Sequence, residues 1–134
     1  MTKYKNIYDK NKIVVEKHTI LLSGELESIE KYKYNNEGLL IEKNKINIKT
    51  SWFGKGQELR TSKNSVSKHT YNNKGDLILS EFYSDMFGNE THKKEITYDK
   101  YNDIAQIKDY RKGYAYIYKD NFGLISVTKY SYIR

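Results

Sequence analysis

Polar and apolar residues alternate along this chain in short runs. Tyr114, Tyr116 and Tyr118 are separated by Ala115 and Ile117, and Thr128, Tyr130 and Tyr132 keep the same spacing. Lys43, Lys45 and Lys49 fall on one parity, while Ile46, Ile48 and Trp52 fall on the other. Side chains of a strand point alternately to its two faces, so this period predicts strands with unlike faces. No window carries the apolar spacing of an amphipathic helix.

The runs are punctuated by a repeat. Tyr32-Lys-Tyr34-Asn35-Asn36-Glu37-Gly38-Leu39-Leu40-Ile41 returns as His69-Thr-Tyr71-Asn72-Asn73-Lys74-Gly75-Asp76-Leu77-Ile78. Looser copies run from Ile96 to Ile104 and from Tyr116 to Ile125, and Tyr8 to Val15 reads as a degenerate first one. Each places an aromatic residue before Asn or Asp, then polar residues that usually end in Gly, then an aliphatic pair. Asn and Asp bond their own backbone and tolerate the left-handed region, and Gly enters it without a steric penalty. The pattern predicts a type I turn with a bulge, closing a hairpin. Ser23-Gly24-Glu25, Phe53 to Gly56, Met86 to Asn89 and Arg111-Lys112-Gly113 are further turn signals. Nine turns give ten strands, and short turns pair sequence neighbours antiparallel.

The expected fold is therefore all-β, an antiparallel meander of about ten strands forming one domain over residues 1–134, as a curved open sheet of repeated hairpins. A closed up-and-down barrel is the alternative. Lys and Glu at positions serving both faces speak against the dry interior a barrel needs. Open edges would leave room for a homodimer or an added partner strand.

Composition narrows the chemistry. Among the 134 residues there is no Cys, which excludes disulfides and thiolate chemistry, and no Pro, which leaves turns to Gly, Asn and Asp. No apolar run reaches the length of a membrane helix and the first residues lack a secretory pattern, so a cytoplasmic protein is expected. His18, His69 and His92 stand too far apart for a metal motif. Asp99-x-Tyr101-x-Asp103 lacks the Gly and Glu of a calcium loop and reads as turn chemistry. No nucleophile or phosphate-loop motif is present. The expectation is no enzyme, no cofactor and no metal.

Charge is unevenly placed. The chain carries 24 Lys and Arg against 17 Asp and Glu, a net +7. Between Lys43 and Lys68 there are seven basic residues and only Glu58 as an acid. That segment also accounts for the unusually long interval between Tyr34 and Tyr71, and it reads as a projecting hairpin. Aromatic residues beside Lys and Arg suit a protein-binding anchor or a phosphate-contacting loop. Lys49, Trp52, Phe53, Lys55, Arg60 and Lys63 are the expected partner-binding residues. The alternative for such a hairpin is a solvated face whose lysines keep a sheet edge from aggregating.

The Tyr-Asn-Asn-x-Gly-x-Leu units at Tyr34 and Tyr71 and the Tyr-Asp-x-Tyr-Asn unit at Tyr98 resemble the YD repeats of Rhs and related polymorphic-toxin proteins. Asn replaces Asp in the two best copies, and the chain is much shorter than the shells such repeats build. The resemblance implies a curved or spiral sheet of hairpins. It also implies an immunity protein, since short proteins of this style accompany such toxins. The expected partner is then a toxin domain with an acidic face. A nucleic-acid-binding sheet using the basic hairpin and a tyrosine face is the alternative.

Overall fold

A computed structural model describes residues 2–53, 57–85, 90–113 and 122–133, with the side chains of 49–53 and 57–61 outside that description. It is all-β. Nine strands lie in one sheet in chain order: β1 (Thr2–Tyr8), β2 (Val14–Leu21), β3 (Leu26–Tyr34), β4 (Leu40–Phe53), β5 (Gln57–Tyr71), β6 (Leu77–Ser84), β7 (Glu90–Tyr98), β8 (Ile104–Gly113) and β9 (Gly123–Lys129). The described pairings are antiparallel. The sheet is an open meander, as expected, and not a closed barrel. Contacts group the chain into two units, Met1–Val66 and Ser67–Arg134.

The hairpin chemistry read from the repeat is present in each unit. Asn35 N–H donates to Leu39 O at 2.9 Å, and Gly38 N–H donates back to Asn35 O at 3.0 Å. The Asn35 side chain locks this frame, its Oδ1 accepting from Glu37 N–H at 3.0 Å and Leu39 N–H at 2.9 Å. Asn72 repeats every one of these bonds with Lys74, Gly75 and Asp76, and Asp99 repeats them with Tyr101, Asn102 and Asp103. Asp9 does the same for Asn11, Lys12 and Ile13. The fourth residue of each frame turns left-handed: Gly38 at φ 81° and Gly75 at φ 86°, but also Lys12 at φ 63° and Asn102 at φ 67°. Lys12 is the strained member, since a left-handed residue with a Cβ costs about 1–2 kcal/mol.

The frames at Asp9, Asn35 and Asp99 are each followed by a bulge. Tyr34 pairs with Leu40 and Lys33 with Glu42, so Ile41 is skipped; Val15 and Ala105 are skipped in the same way. Bulges of this kind bend the strand and add local twist.

The repeat tyrosines gain a second role. Tyr34 Oη donates to Val14 O at 3.1 Å, and Tyr98 Oη donates to Leu77 O at 2.8 Å. In both cases the acceptor is the residue that opens the preceding strand, directly after a turn. Tyr132 Oη reaches Ile104 O, which opens β8, at 2.9 Å. The phenol is also a latch that ties the end of one strand to the start of its neighbour.

Two expectations are corrected. Arg111-Lys112-Gly113 is not a turn: β8 runs through it, with Lys112 opposite Thr91 and Gly113 opposite Glu90. The ladder continues for as long as β7 offers partners, and it overrides the local glycine. In the copy from Tyr116 to Ile125, Gly123 stands in β9 opposite Arg111 instead of in a turn. The strand expected at Tyr114 to Tyr118, like the turn at Met86 to Asn89, lies outside the described residues, which leaves nine strands in place of ten.

Neither unit has a core of its own among the described residues. No apolar side chain is buried, and the buried polar residues are Ser28 and Ser84.

Candidate binding surface

In the first unit, residues opposite one another share a face. Asn6, Lys17, Glu30 and Lys45 form one row across β1 to β4. Next to it, Lys17 Nζ lies 4.4 Å from the centre of the Tyr4 ring. Tyr32 Oη donates to Glu30 Oε2 at 2.8 Å, and Lys43 Nζ lies 3.2 Å from Glu30 Oε1. The other face carries the row His18, Ile29 and Ile46. The split of Lys43 and Lys45 from Ile46 follows the sequence expectation.

The cluster around Glu30 is electrostatically tuned. Burial acts to raise the Glu30 carboxyl, but the hydrogen bond from Tyr32, the ammonium of Lys43 and the charge of Lys45 outweigh it and hold it below its ordinary value. Burial, then the bond and charge of Glu30, push the Tyr32 phenol up to about 12. The neutral phenol therefore favours the fold at pH below the ordinary 10, and that contribution is lost as pH rises towards 12. Glu30 contributes above the ordinary carboxylate range and loses its contribution as pH falls through its lowered value. Glu30→Gln is expected to bring the Tyr32 titration down from about 12 towards 10, read by ultraviolet tyrosinate absorbance. An unchanged titration would remove Glu30 from this account.

The second unit holds the denser cluster. Glu81, Lys93, Tyr110 and Leu124 stand in one row across β6 to β9. Lys93 Nζ lies 4.6 Å from the centre of the Tyr110 ring and 4.8 Å from that of Phe122, and Lys112 Nζ lies 4.9 Å from Phe122. Tyr110 Oη donates to Glu95 Oε2 at 3.2 Å, while Lys93 pairs with Glu95 at 3.5 Å. Burial first, then Glu95, raises the Tyr110 phenol. Two ammonium groups thus hold the partly exposed ring of Phe122, beside exposed Leu124 and Val127. Each such cation–ring contact is worth about 0.5–1 kcal/mol at an exposed site. The reverse face carries Phe82 edge-on to His92 at 5.9 Å, and His92 lies 3.7 Å from Glu90.

Of the residues expected to bind a partner, Lys49, Trp52 and Phe53 have their backbones in β4 and Arg60 in β5, with side chains outside the described set. Lys55 lies outside the described residues altogether, and Lys63 is exposed on β5. The Lys93–Tyr110–Phe122–Lys112 cluster escaped the sequence reading, because its members meet only through strand register.

Asp99 Oδ1 serves its own loop. Between the loops at Asp9 and Asn35 lies an open groove of about 570 Å³, lined by Ile13, Val15, Tyr32, Tyr34 and Ile41. The hydroxyls of both its tyrosines are already donated within the protein. No group of three or more His, Cys, Asp and Glu fit to hold a metal ion occurs among the described residues. Among those residues, no helix is long and apolar enough to cross a membrane. The chain matches no model of a known protein family, and no curated protein matches it.

Proposed function

We propose that this chain is a non-enzymatic protein-binding module, an immunity-type protein that docks on a bacterial toxin domain. One observation carries the reading: no described apolar side chain is buried, while aromatic rings stand at the surface between lysines. A sheet without a core is stabilised when a partner covers it, and rigid aromatic anchors beside cations are the composition of an interface centre. The Lys93, Tyr110, Phe122 and Lys112 cluster is the centre of contact, and a net charge of +7 favours a partner with an acidic face. The likeness to YD repeats supplies the toxin as the kind of partner.

Aromatic residues beside lysines on several strands also suit single-stranded nucleic acid. Glu30 and Glu95 sit within the same clusters and repel a phosphate backbone, so protein is preferred. Co-expression with a toxin encoded beside this gene is the test. Co-purification and protection of the host cell are expected, with both weakened by Lys93→Glu and Lys112→Glu. Neither co-purification nor protection, together with steeply salt-dependent capture of single strands, would transfer the proposal to nucleic acid.

A further inference from the structure

The latch tyrosines show that β1 is built as an interior strand although it stands at the end of the sheet. Tyr34 and Tyr98 each close a strand, directly before the Asn or Asp of a loop, and each donates to the carbonyl that opens the preceding strand. Tyr8 holds the same place, at the end of β1 and directly before Asp9, whose loop has the same bonds. No strand precedes β1 in the sheet order. Among the described residues Tyr8 Oη has no hydrogen-bond partner, and the residue is 56% exposed. At the other end of the sheet order the latch is filled, since Tyr132 already reaches Ile104 O. Among these nine strands, the outer edge of β1 and the Tyr8 hydroxyl therefore face no partner strand.

The charges at that edge say what fits it. Lys3 and Lys5 share one face of β1, opposite Ile20 and His18, and Tyr4, Asn6 and Tyr8 share the other. Lysines at an edge discourage pairing with a like strand. A second copy of β1 laid antiparallel at full overlap would set Lys5 against Lys5, which is unfavourable for directly opposed residues. A strand carrying Asp or Glu at alternate positions reverses that sign.

We propose that β1 is a strand-acceptor edge. It takes an extended antiparallel segment of the protein partner, with carboxylates facing Lys3 and Lys5 and a backbone carbonyl accepting from Tyr8 Oη. This deepens the protein-binding reading above and rests on it.

The probe is a synthetic strand matching the seven residues of β1, with glutamate at alternate positions between valine and threonine, and a counterpart with lysine in place of glutamate. Binding to the full chain is followed by amide hydrogen exchange. The glutamate strand is expected to slow exchange along β1, and the lysine strand to leave it unchanged. Tyr8→Phe removes a hydroxyl that bonds none of the described residues, so the fold should be unaffected, and it should weaken binding roughly five-fold. Lys3→Glu with Lys5→Glu should exchange the preference between the two peptides. Equal effects of both peptides, protection elsewhere, or no binding would overturn the proposal. So would protection of β1 that grows with protein concentration alone, which would assign the edge to a second copy. In capture of the toxin domain, a wild type that binds beside an equally competent Lys3→Glu/Lys5→Glu variant overturns the edge and leaves the protein-binding reading standing. A wild type that captures nothing overturns that reading instead.

Discussion

Asn35→Ala is expected to lower stability by about 2 kcal/mol, at roughly 1 kcal/mol for each hydrogen bond lost. Its Oδ1 accepts two backbone N–H groups inside one loop, from Glu37 and Leu39, and alanine replaces neither. Without a buried apolar side chain among the described residues to absorb the loss, that is a large share of what holds the β3–β4 hairpin together. Asn35→Asp should be nearly neutral, because Asp9 and Asp99 make the same two bonds in their own loops. Lys12→Gly should act in the opposite direction, adding about 0.5–1 kcal/mol by relieving the left-handed Cβ at φ 63°. Urea midpoints of the three variants give the comparison. An alanine variant as stable as the parent, or an aspartate variant as damaged as the alanine one, would contradict the account of the loops.

Urea unfolding of the chain alone should be broad, and saturation with its protein partner should sharpen it and move it to higher denaturant. The slope of such a transition follows the surface exposed on unfolding, about 1–3 kcal/mol per molar for small proteins with cores. Here no described apolar side chain is buried in the folded state, so less remains to be exposed. A partner present at a hundred times its Kd adds about 2.7 kcal/mol to the stability. Because the partner also covers apolar side chains such as Leu124 and Val127, it should raise the slope as well as the midpoint. A steep transition in the free chain that the partner leaves unmoved would count against the docking reading.

The loops were legible in the sequence because their chemistry is local. An Asn or Asp side chain bonds amides two and four residues ahead, so Asn35, Asn72, Asp99 and even the degenerate Asp9 announce their hairpins without reference to the rest of the chain. Arg111 to Gly113 misled for the complementary reason: Glu90 and Thr91, some twenty residues earlier, decide that this stretch stays in the ladder. The meeting of Lys93 with Tyr110 and Phe122 was hidden in the same way. It depends on the register of β7 against β8, which alternation of polar and apolar residues constrains only to one face. The latching role of the tyrosines was half visible, since their position beside each turn was plain but the carbonyl they reach belongs to another hairpin.

Because the loop frame closes on its own side chain and each phenol reaches no farther than the adjoining strand, the stabilising bonds of any hairpin are owed to itself and its immediate neighbour. Architectures with that property tolerate changes of copy number, since inserting or deleting one two-strand period leaves the remaining contacts as they were. The length of this sheet is thus free to drift through tandem duplication. Damage to one period should melt that stretch and spare those beyond its neighbour.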